Sequence, residues 1–469
     1  MIRSHWAFRN WLLLGLALAA SGWLLFGGPL RDKSNAAREE VVLWHFWGGT
    51  DLEVVRDVVR RFNAAQSDYF VREVAMPGNN LRAKLFLSAT GGAPPDLVNI
   101  DDPVIADWEE LGLLRTVAEI AGRSEADRIA QSLFPAAREL SSSAGQLVGI
   151  CNGLDVRALY YNRTFLEERG WKAPQTLEEL DEIGWKVRAL ELDQPRFAFL
   201  PPPRRILFFA HLFGAQVWDP EHARPCLDSS PLVQAAEWLQ SYSRLYGDDQ
   251  VAAYRQTDQS LPGKSFPLLP QTAEQMTGRY LFSLDGQWRV RDLRAFRAER
   301  LALGKPQPEF DVIPFPPPAR LDDSARTAPA GWVNGNVFVF PRRARNSTGA
   351  LAFAKFWIGL DQPAEAAQTC LAGGWIPVLP KVVAEPSFAA ELEREPLFRR
   401  FVELAESSGM RPTPSVRGAA YLVRVLESTA ERVASDSRLP ADGAFGEANR
   451  ELETYFSKLP RRPNRRVGP

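Results

Sequence analysis

The chain is poor in cysteine and histidine. Its three cysteines, Cys151, Cys226 and Cys370, lie too far apart for a CxxC metal or redox motif and allow at most one disulfide, so this is no disulfide scaffold. The four histidines, His5, His45, His211 and His222, include no pair at metal-ligand spacing. No charge of one sign dominates: 56 Lys+Arg stand against 57 Asp+Glu, a formal net charge of -1. That balance excludes a nucleic-acid binder built on counterion release, and an acidic disordered tail. HExxH, GxSxG and GxGxxG do not occur. Gly263-Lys264-Ser265 has the tail of a phosphate loop, but Asp258 stands where its first glycine belongs. Carboxylates are plentiful and no two single themselves out as a glycosidase pair, so an enzyme is disfavoured by missing motifs rather than excluded.

Long apolar runs are missing too, with one exception. Trp11 to Leu30 is apolar apart from Ser21, and Arg3 and Arg9 precede it. As a helix rising about 1.5 Å per residue it would span a bilayer core of about 30 Å. The positive-inside rule then leaves the N-terminus in the cytoplasm and the body outside. A cleaved signal peptide is the rival reading: Ala17-Leu18-Ala19 resembles a cleavage site, though cutting there would leave Trp23 to Phe26 on the mature end. No cysteine follows for lipid attachment. The expectation is an uncleaved anchor over residues 11–30 and an extracytoplasmic body.

What remains is an ordinary globular composition, 45% hydrophobic, spread over 469 residues. A single core stops growing near roughly 250–300 residues, so more than one is expected. Residues 31–40 read as a tether. Val41 to Trp44 reads as a buried strand, and Thr50-x-x-Glu53 as a capping box opening a helix whose Val54, Val55, Val58, Val59 and Phe62 share a face. A strand near Phe70–Met76, a helix near Leu81–Thr90 and a strand over Asp96–Ile100 follow. Asp102-Pro103 reads as a helix start. Ala158–Asn162 reads as a strand, Thr176-x-x-Glu179 as a cap, and Gly247–Thr277 as loop or irregular helix. Arg279–Leu284 reads as a strand ending in an Asp285-Gly286 turn, and two further strands cover Phe310–Phe315 and Val333–Phe340. Helices dominate from Ala350, with a break at Gly373-Gly374. Such strand–helix alternation predicts α/β architecture with a parallel sheet.

The unusual inventory is aromatic, with 14 Trp and 27 Phe. Tryptophan or aspartate recurs beside glycine where strands are predicted to end: Trp47-Gly48-Gly49, Asp101-Asp102, Asp285-Gly286-Gln287-Trp288, Gly331-Trp332 and Gly373-Gly374-Trp375. In an open parallel sheet, ligands sit beyond the carboxyl ends of the strands. An indole face and a carboxylate are what a sugar requires, since its ring has an apolar C–H face and a rim of hydroxyls.

Six segments in order carry a family resemblance: VVLWHFWGG, KLFLSATGGAPPDLVNID, the stretch Gly145–Leu180, GRYLFSLDGQWRV, FVFPRRARNSTGALAFAKFWIGL and GGWIPVLPKV. Over most of residues 41–430 the chain resembles the extracellular solute-binding proteins, family 1, of bacterial ABC importers, the maltose-binding-like sugar binders. The resemblance implies a two-lobe periplasmic-binding-protein fold of type II joined by a hinge. The anchor and tether would take residues 1–38, the first lobe 39–153 plus 310–361, and the second lobe 154–309 plus 362–469, with a crossover in Gly149–Asp155. It implies a periplasmic binding protein, not an enzyme, that takes a sugar or oligosaccharide in the interlobe cleft and hands it to the permease subunits of an ABC transporter. It is expected to act as a monomer without cofactor, metal or nucleic acid. A membrane-anchored carbohydrate sensor and a carbohydrate-active enzyme are the alternatives.

The candidate ligand residues are Trp47, Asp101, Asp102, Asp155, Arg157, Trp218, Asp285, Trp288, Trp332, Trp375 and Tyr421. Trp288 aligns with a stacking tryptophan of the family and Asp155 with an acidic ligand contact. Trp332 and Trp375 follow glycines at matched positions, and Tyr421 falls where relatives carry a ligand-facing ring. Asp102 also serves as an N-cap, Arg157 as a brace for Asp155, Asp285 as a turn residue, and Trp218 as the lid of a hydrophobic corner. One departure stands out: where the family carries Pro-Tyr after the crossover glycine, this chain has Cys151-Asn152, which cannot stack on a sugar.

Overall fold

The computed structural model describes residues 38–101, 105–190, 197–260, 281–305, 308–320 and 329–459. The apolar segment Trp11–Leu30 and the Asp102-Pro103 helix start lie outside these residues. Among the described residues no helix is long and apolar enough to cross a membrane.

Eight strands form one sheet: β1 (Glu39–His45), β2 (Tyr69–Ala75), β3 (Leu97–Asp101), β4 (Gly149–Asn162), β5 (Phe282–Gly286), β6 (Phe310–Ile313), β7 (Gly331–Val339) and β8 (Met410–Arg411). The path runs β6-β4-β7-β3-β1-β2, with β5 beside β4 and β8 beside β7. The parallel pairing expected from strand–helix alternation holds for β1 with β2 and β3. It fails at the centre, where β7 runs antiparallel to both β3 and β4.

That centre organises the molecule. The first half of β4 pairs with β7, from Gly149 to Val156, whereas its second half lies between β5 and β6. One 14-residue strand therefore joins two groups of strands. The register between β4 and β7 shifts at Asn336/Val337, and a bulge of this kind bends a strand where the chain changes direction.

The helices that matter here are α1 (Gly49–Ala65), α2 (Leu177–Arg188), α3 (Ile206–Leu212), α4 (Ser230–Tyr246), α5 (Trp288–Ala302), α6 (Ser347–Ile358), α7 (Pro363–Gly373), α8 (Pro396–Glu406), α9 (Ala419–Ser435) and α10 (Ala441–Lys458). The apolar stripe on α1 behaves as its spacing predicts, with Val55, Val58, Val59 and Phe62 buried. Its start does not. Gly48 is the N-cap, no side chain caps the helix, and Gly49 takes a φ of 57°, so the glycine pair carries the sharp entry and Thr50 lies within the first turn. Thr176 does cap α2, accepting from the Glu179 N–H at 3.2 Å.

Two hydrophobic cores result. The first gathers Val41, Leu43, Phe62, Phe338, Phe353 and Trp357 around β1, β3 and β7, and extends to α5 and α8. The second gathers Phe199, Phe208, Phe209, Leu239, Leu422 and Phe445 around α3, α4, α9 and α10. The pleat of β4 divides them: Ala158 and Tyr160 enter the first, Leu159 and Tyr161 the second. Of Gly247–Thr277, expected as loop or irregular helix, Asp248–Ser260 is a helix and residues 261–277 lie outside the described residues. One local reading gives way. Asp285-Gly286 is no turn but the end of β5, paired with Ala158 and Arg157.

Candidate functional site

Burial along the two crossing strands marks a polar strip. In β4 only Asp155 and Arg157 are not fully buried, and on β7 the half-buried positions alternate as Trp332, Asn334 and Asn336. Side chains two apart share a face of a strand, and directly paired residues share a face of the sheet. Asn334 pairs with Asp155, and Asn336 pairs with Gly153 on one side and with the Asp101 backbone on the other. These residues therefore form one floor across the junction of the two strand groups. The side-chain oxygens of Asn334 and Asn336 are shut off from solvent with no hydrogen-bond partner. An unsatisfied buried acceptor is costly, about 1–3 kcal/mol, so such atoms call for a donor.

On one side of the floor stands a clamp of rings and guanidinium groups. The Arg157 guanidinium lies 5.3 Å from the Trp288 ring centre and 5.2 Å from that of Trp332. Arg205 approaches the Trp332 ring at 5.8 Å, and the Trp332 indole N–H donates to Thr413 Oγ1 at 3.1 Å. Trp288 opens α5 and folds back over Gly286, where any Cβ would stand 2.3 Å from the ring; the missing side chain is what lets the indole lie there. Gln287 ties this wall to the floor. Its amide donates to Asp155 Oδ1 at 3.0 Å and to the Leu154 carbonyl at 3.1 Å, and it accepts from the Val156 N–H. Burial pushes the Asp155 carboxyl above the usual carboxylate range, with Arg157 and Gln287 pulling it partly back and the Asp51 charge adding to the rise. Asp285 pairs with Arg289, which also holds Asp292 at 3.0 Å.

On the other side stands a pile of three indoles. Trp47 stacks on Trp357 (5.2 Å, 15°) and on Trp375 (5.6 Å, 25°), and Trp357 stacks on Trp375 (5.7 Å, 19°). Trp357 Nε1 donates to the Asn152 carbonyl at 3.0 Å. Trp375 is the half-buried member and Trp47 is 7% exposed, so Trp47, expected in the cleft, is core that backs Trp375. Ile376 forms a bridge with Leu154, whose N–H donates to the Ile376 carbonyl at 3.2 Å. That bridge seats Trp375 beside Asp155. A further link spans the two walls: Arg291 of α5 meets Asp51 of α1 at 3.2 Å and the Gly373 carbonyl at 3.4 Å.

The structure thus brings together Asp155, Arg157, Trp288, Trp332 and Trp375, with Asp285 at the edge through β5. Trp218 and Tyr421 go elsewhere. Trp218 packs 4.8 Å from Phe456. Tyr421 packs 4.4 Å from Tyr455, and its hydroxyl donates to Glu451. Both therefore fasten α10 to the second core, because the C-terminal helix supplies their apolar partners. Asp101 is placed by its backbone opposite Asn336, and Asp102 lies outside the described residues. Cys151 is buried, and the Asn152 side chain donates to Asn99 at 2.7 Å beneath the floor.

Sequence reasoning missed Asp51, Arg205, Gln287, Arg291, Asn334 and Asn336. The alternation Trp332-x-Asn334-x-Asn336 was the available signal. Among the described residues no group of three or more His, Cys, Asp or Glu is placed to hold a metal.

A family model described as bacterial extracellular solute-binding protein matches residues 57–396. The chain belongs to this family, whose members work outside the cytoplasm. A curated relative, the diacetylchitobiose binding protein NgcE of Streptomyces coelicolor, is 28% identical over 103 residues, 21% of this chain and 22% of that protein. The alignment therefore spans about a fifth of the relative's length. Among solved structures, CpMnBP1 with mannotriose bound matches with a TM-score of 0.71 at 18% identity, covering 88% of this chain and all of that one. The sugar-binding protein MalE of Xanthomonas citri matches with a TM-score of 0.69 at 20% identity, covering 89% and 98%. Likeness at this identity shows the fold, a two-lobe α/β solute-binding architecture.

Proposed function

We propose that this solute-binding protein takes a sugar or oligosaccharide in the groove between the indole pile and the Arg157 clamp, and delivers it to the permease of an ABC importer. The observation that carries the reading is the floor itself. Two unsatisfied asparagine oxygens and a half-buried carboxylate lie among the half-buried indoles Trp288, Trp332 and Trp375, an arrangement that suits hydroxyl donors on a ring with an apolar face. The sugar-bearing names of the similar proteins support the same ligand class.

The proposed mechanism is a hinge at β4 and β7. The expected boundaries 39–153 plus 310–361 and 154–309 plus 362–469 do not follow the two cores: β6 pairs with the far half of β4, α7 and α8 pack in the first core, and Arg61 of α1 binds Glu365 of α7, so we place residues 362–406 with the first lobe. Ligand favours closure only by its differential affinity for the closed form. A micromolar dissociation constant corresponds to about −8 kcal/mol. Ring stacking at roughly 1 kcal/mol per contact beyond area burial, with hydrogen bonds to charged groups at about 1.5–3 kcal/mol, reaches that after ordering costs. The protein acts as a monomer, without catalysis, held to the membrane by residues 11–30, which raises its concentration near the permease.

A thermal-shift screen against neutral mono- and oligosaccharides tests this. At least one sugar raises the melting temperature, and Trp288→Ala weakens that sugar by about tenfold, or roughly 1.4 kcal/mol. A panel without any response, or an unchanged affinity in the variant, removes the assignment.

A further inference from the structure

A second cavity lies away from the cleft, between α2 and α4. It encloses about 220 Å³ and is lined by Asp181, Trp185, Phe199, Tyr242 and Tyr246, among others. Sites for drug-sized ligands run to roughly 300–1,000 Å³, so this one suits a single small group. Three rings, those of Phe199, Tyr242 and Tyr246, build walls, with Phe199 and Tyr242 at 6.4 Å edge to face and Tyr242 and Tyr246 at 6.4 Å. Trp185 stands 55% exposed at the mouth, although an indole normally hides its apolar face.

The charge within is unusual. Asp181 accepts from the Trp238 indole N–H at 3.1 Å and from the Tyr242 hydroxyl at 2.8 Å. Both donors are neutral, and among the described residues Asp181 has no ion pair. Of the cations on the same helix, Lys186 pairs with Glu182 at 2.7 Å, whereas Arg188 stays at the rim, donating to the Leu245 carbonyl at 2.6 Å. Arg188 nevertheless lies over the Tyr246 ring at 5.3 Å and the Trp185 ring at 6.0 Å, so the rim rings already engage a positive charge. A carboxylate with no direct ion pair, behind aromatic faces, attracts a cation through both Coulomb and ring-quadrupole terms.

The geometry points to a binding site for a small organic cation, of the methylated or quaternary ammonium class, in the Asp181–Trp185–Tyr246 cavity of the second lobe. The methylated class is favoured over a primary ammonium because rings and aliphatic groups make up most of the walls, with Asp181 the one carboxylate among the lining residues. This site is independent of the cleft and of what the cleft binds.

The test is isothermal titration of the full chain with choline, and with 3,3-dimethylbutan-1-ol as its uncharged isostere. Choline binds at one saturable site and the alcohol at least about tenfold more weakly, the gap a desolvated cation–π site produces. Trp185→Ala, at an exposed position, weakens choline by about fivefold or more, and Asp181→Asn weakens it further, while the melting temperature of the Trp185→Ala chain stays near wild type. Absence of choline binding, equal binding of the alcohol, or choline binding that neither substitution changes would each overturn the assignment. The last outcome would place the cation elsewhere on the protein.

Discussion

Replacing Gly286 by alanine tests the cleft without touching a ligand-facing side chain. The new Cβ would stand 2.3 Å from Trp288 Cη2 and Cζ3, and 2.7 Å from Cε3. Carbon atoms in contact settle at about 3.5–4.0 Å, so the indole must retreat by more than about 1 Å. Gly286 is paired with Arg157, and the ring now lies 5.3 Å from that guanidinium. A retreat of this size carries it past the roughly 6 Å reach of a cation–π contact, which costs the fold about 0.5–2 kcal/mol, and it withdraws the ring face on which a sugar would stack, roughly 1 kcal/mol or about fivefold in affinity. Arg157 keeps Trp332, and the clashing atoms are the far end of one half-buried side chain, so the fold survives. Isothermal titration with the sugar that gives the largest thermal shift, set beside the melting temperature, reads the outcome. Weaker binding is expected, with a stability loss of no more than about 2 kcal/mol. Wild-type affinity in Gly286→Ala, with the ring shown to have moved, would refute it.

Three further outcomes follow from the same contacts. Arg291→Ala removes the Asp51 ion pair and the Gly373 hydrogen bond that hold α5 against α1 and α7, and should weaken sugar binding by about threefold in isothermal titration. Trp357→Ala deletes a side chain 2% exposed, together with two stacked partners, and should cost about 3–5 kcal/mol in urea unfolding, the range for buried aromatics. Burial brings His211 down to about 4, the Arg411 charge adding to it and a backbone contact at Ala215 offsetting part. The unfolded chain, titrating near 6.5, therefore takes the proton first. The stability tied to this group is whole above pH 6.5 and shrinks as pH falls toward 4, by up to about 2 kcal/mol at pH 5. Denaturant curves of His211→Leu against wild type should show a shallower acid slope in the variant.

Much of the fold was legible because local signals agreed with tertiary ones. The Val55-Val58-Val59-Phe62 stripe and the Thr176 cap are cases where one segment determines its own structure. Local signals lost where a partner arrived from far along the chain. Asp285-Gly286 has turn composition, but pairing with Ala158 and Arg157 extends it as strand. Thr50-x-x-Glu53 has capping composition, but the Gly48-Gly49 entry already sets the helix start. The site divides in the same way. Trp288, Trp332 and Trp375 were visible as indoles beside glycine, whereas Arg291 meets Asp51 across 240 residues, a pairing no local pattern encodes. Trp218 and Tyr421 misled because their partners, Phe456 and Tyr455, lie on the last helix. Trp47 misled because two other indoles cover it.

The most direct measurement is a crystal structure of the protein with the oligosaccharide that stabilises it most. A sugar ring should lie between Trp375 and the Trp288–Trp332 clamp, its hydroxyls donating to Asp155, Asn334 and Asn336. Ligand density away from the β4–β7 floor, or a ring that touches none of those indoles, would contradict it.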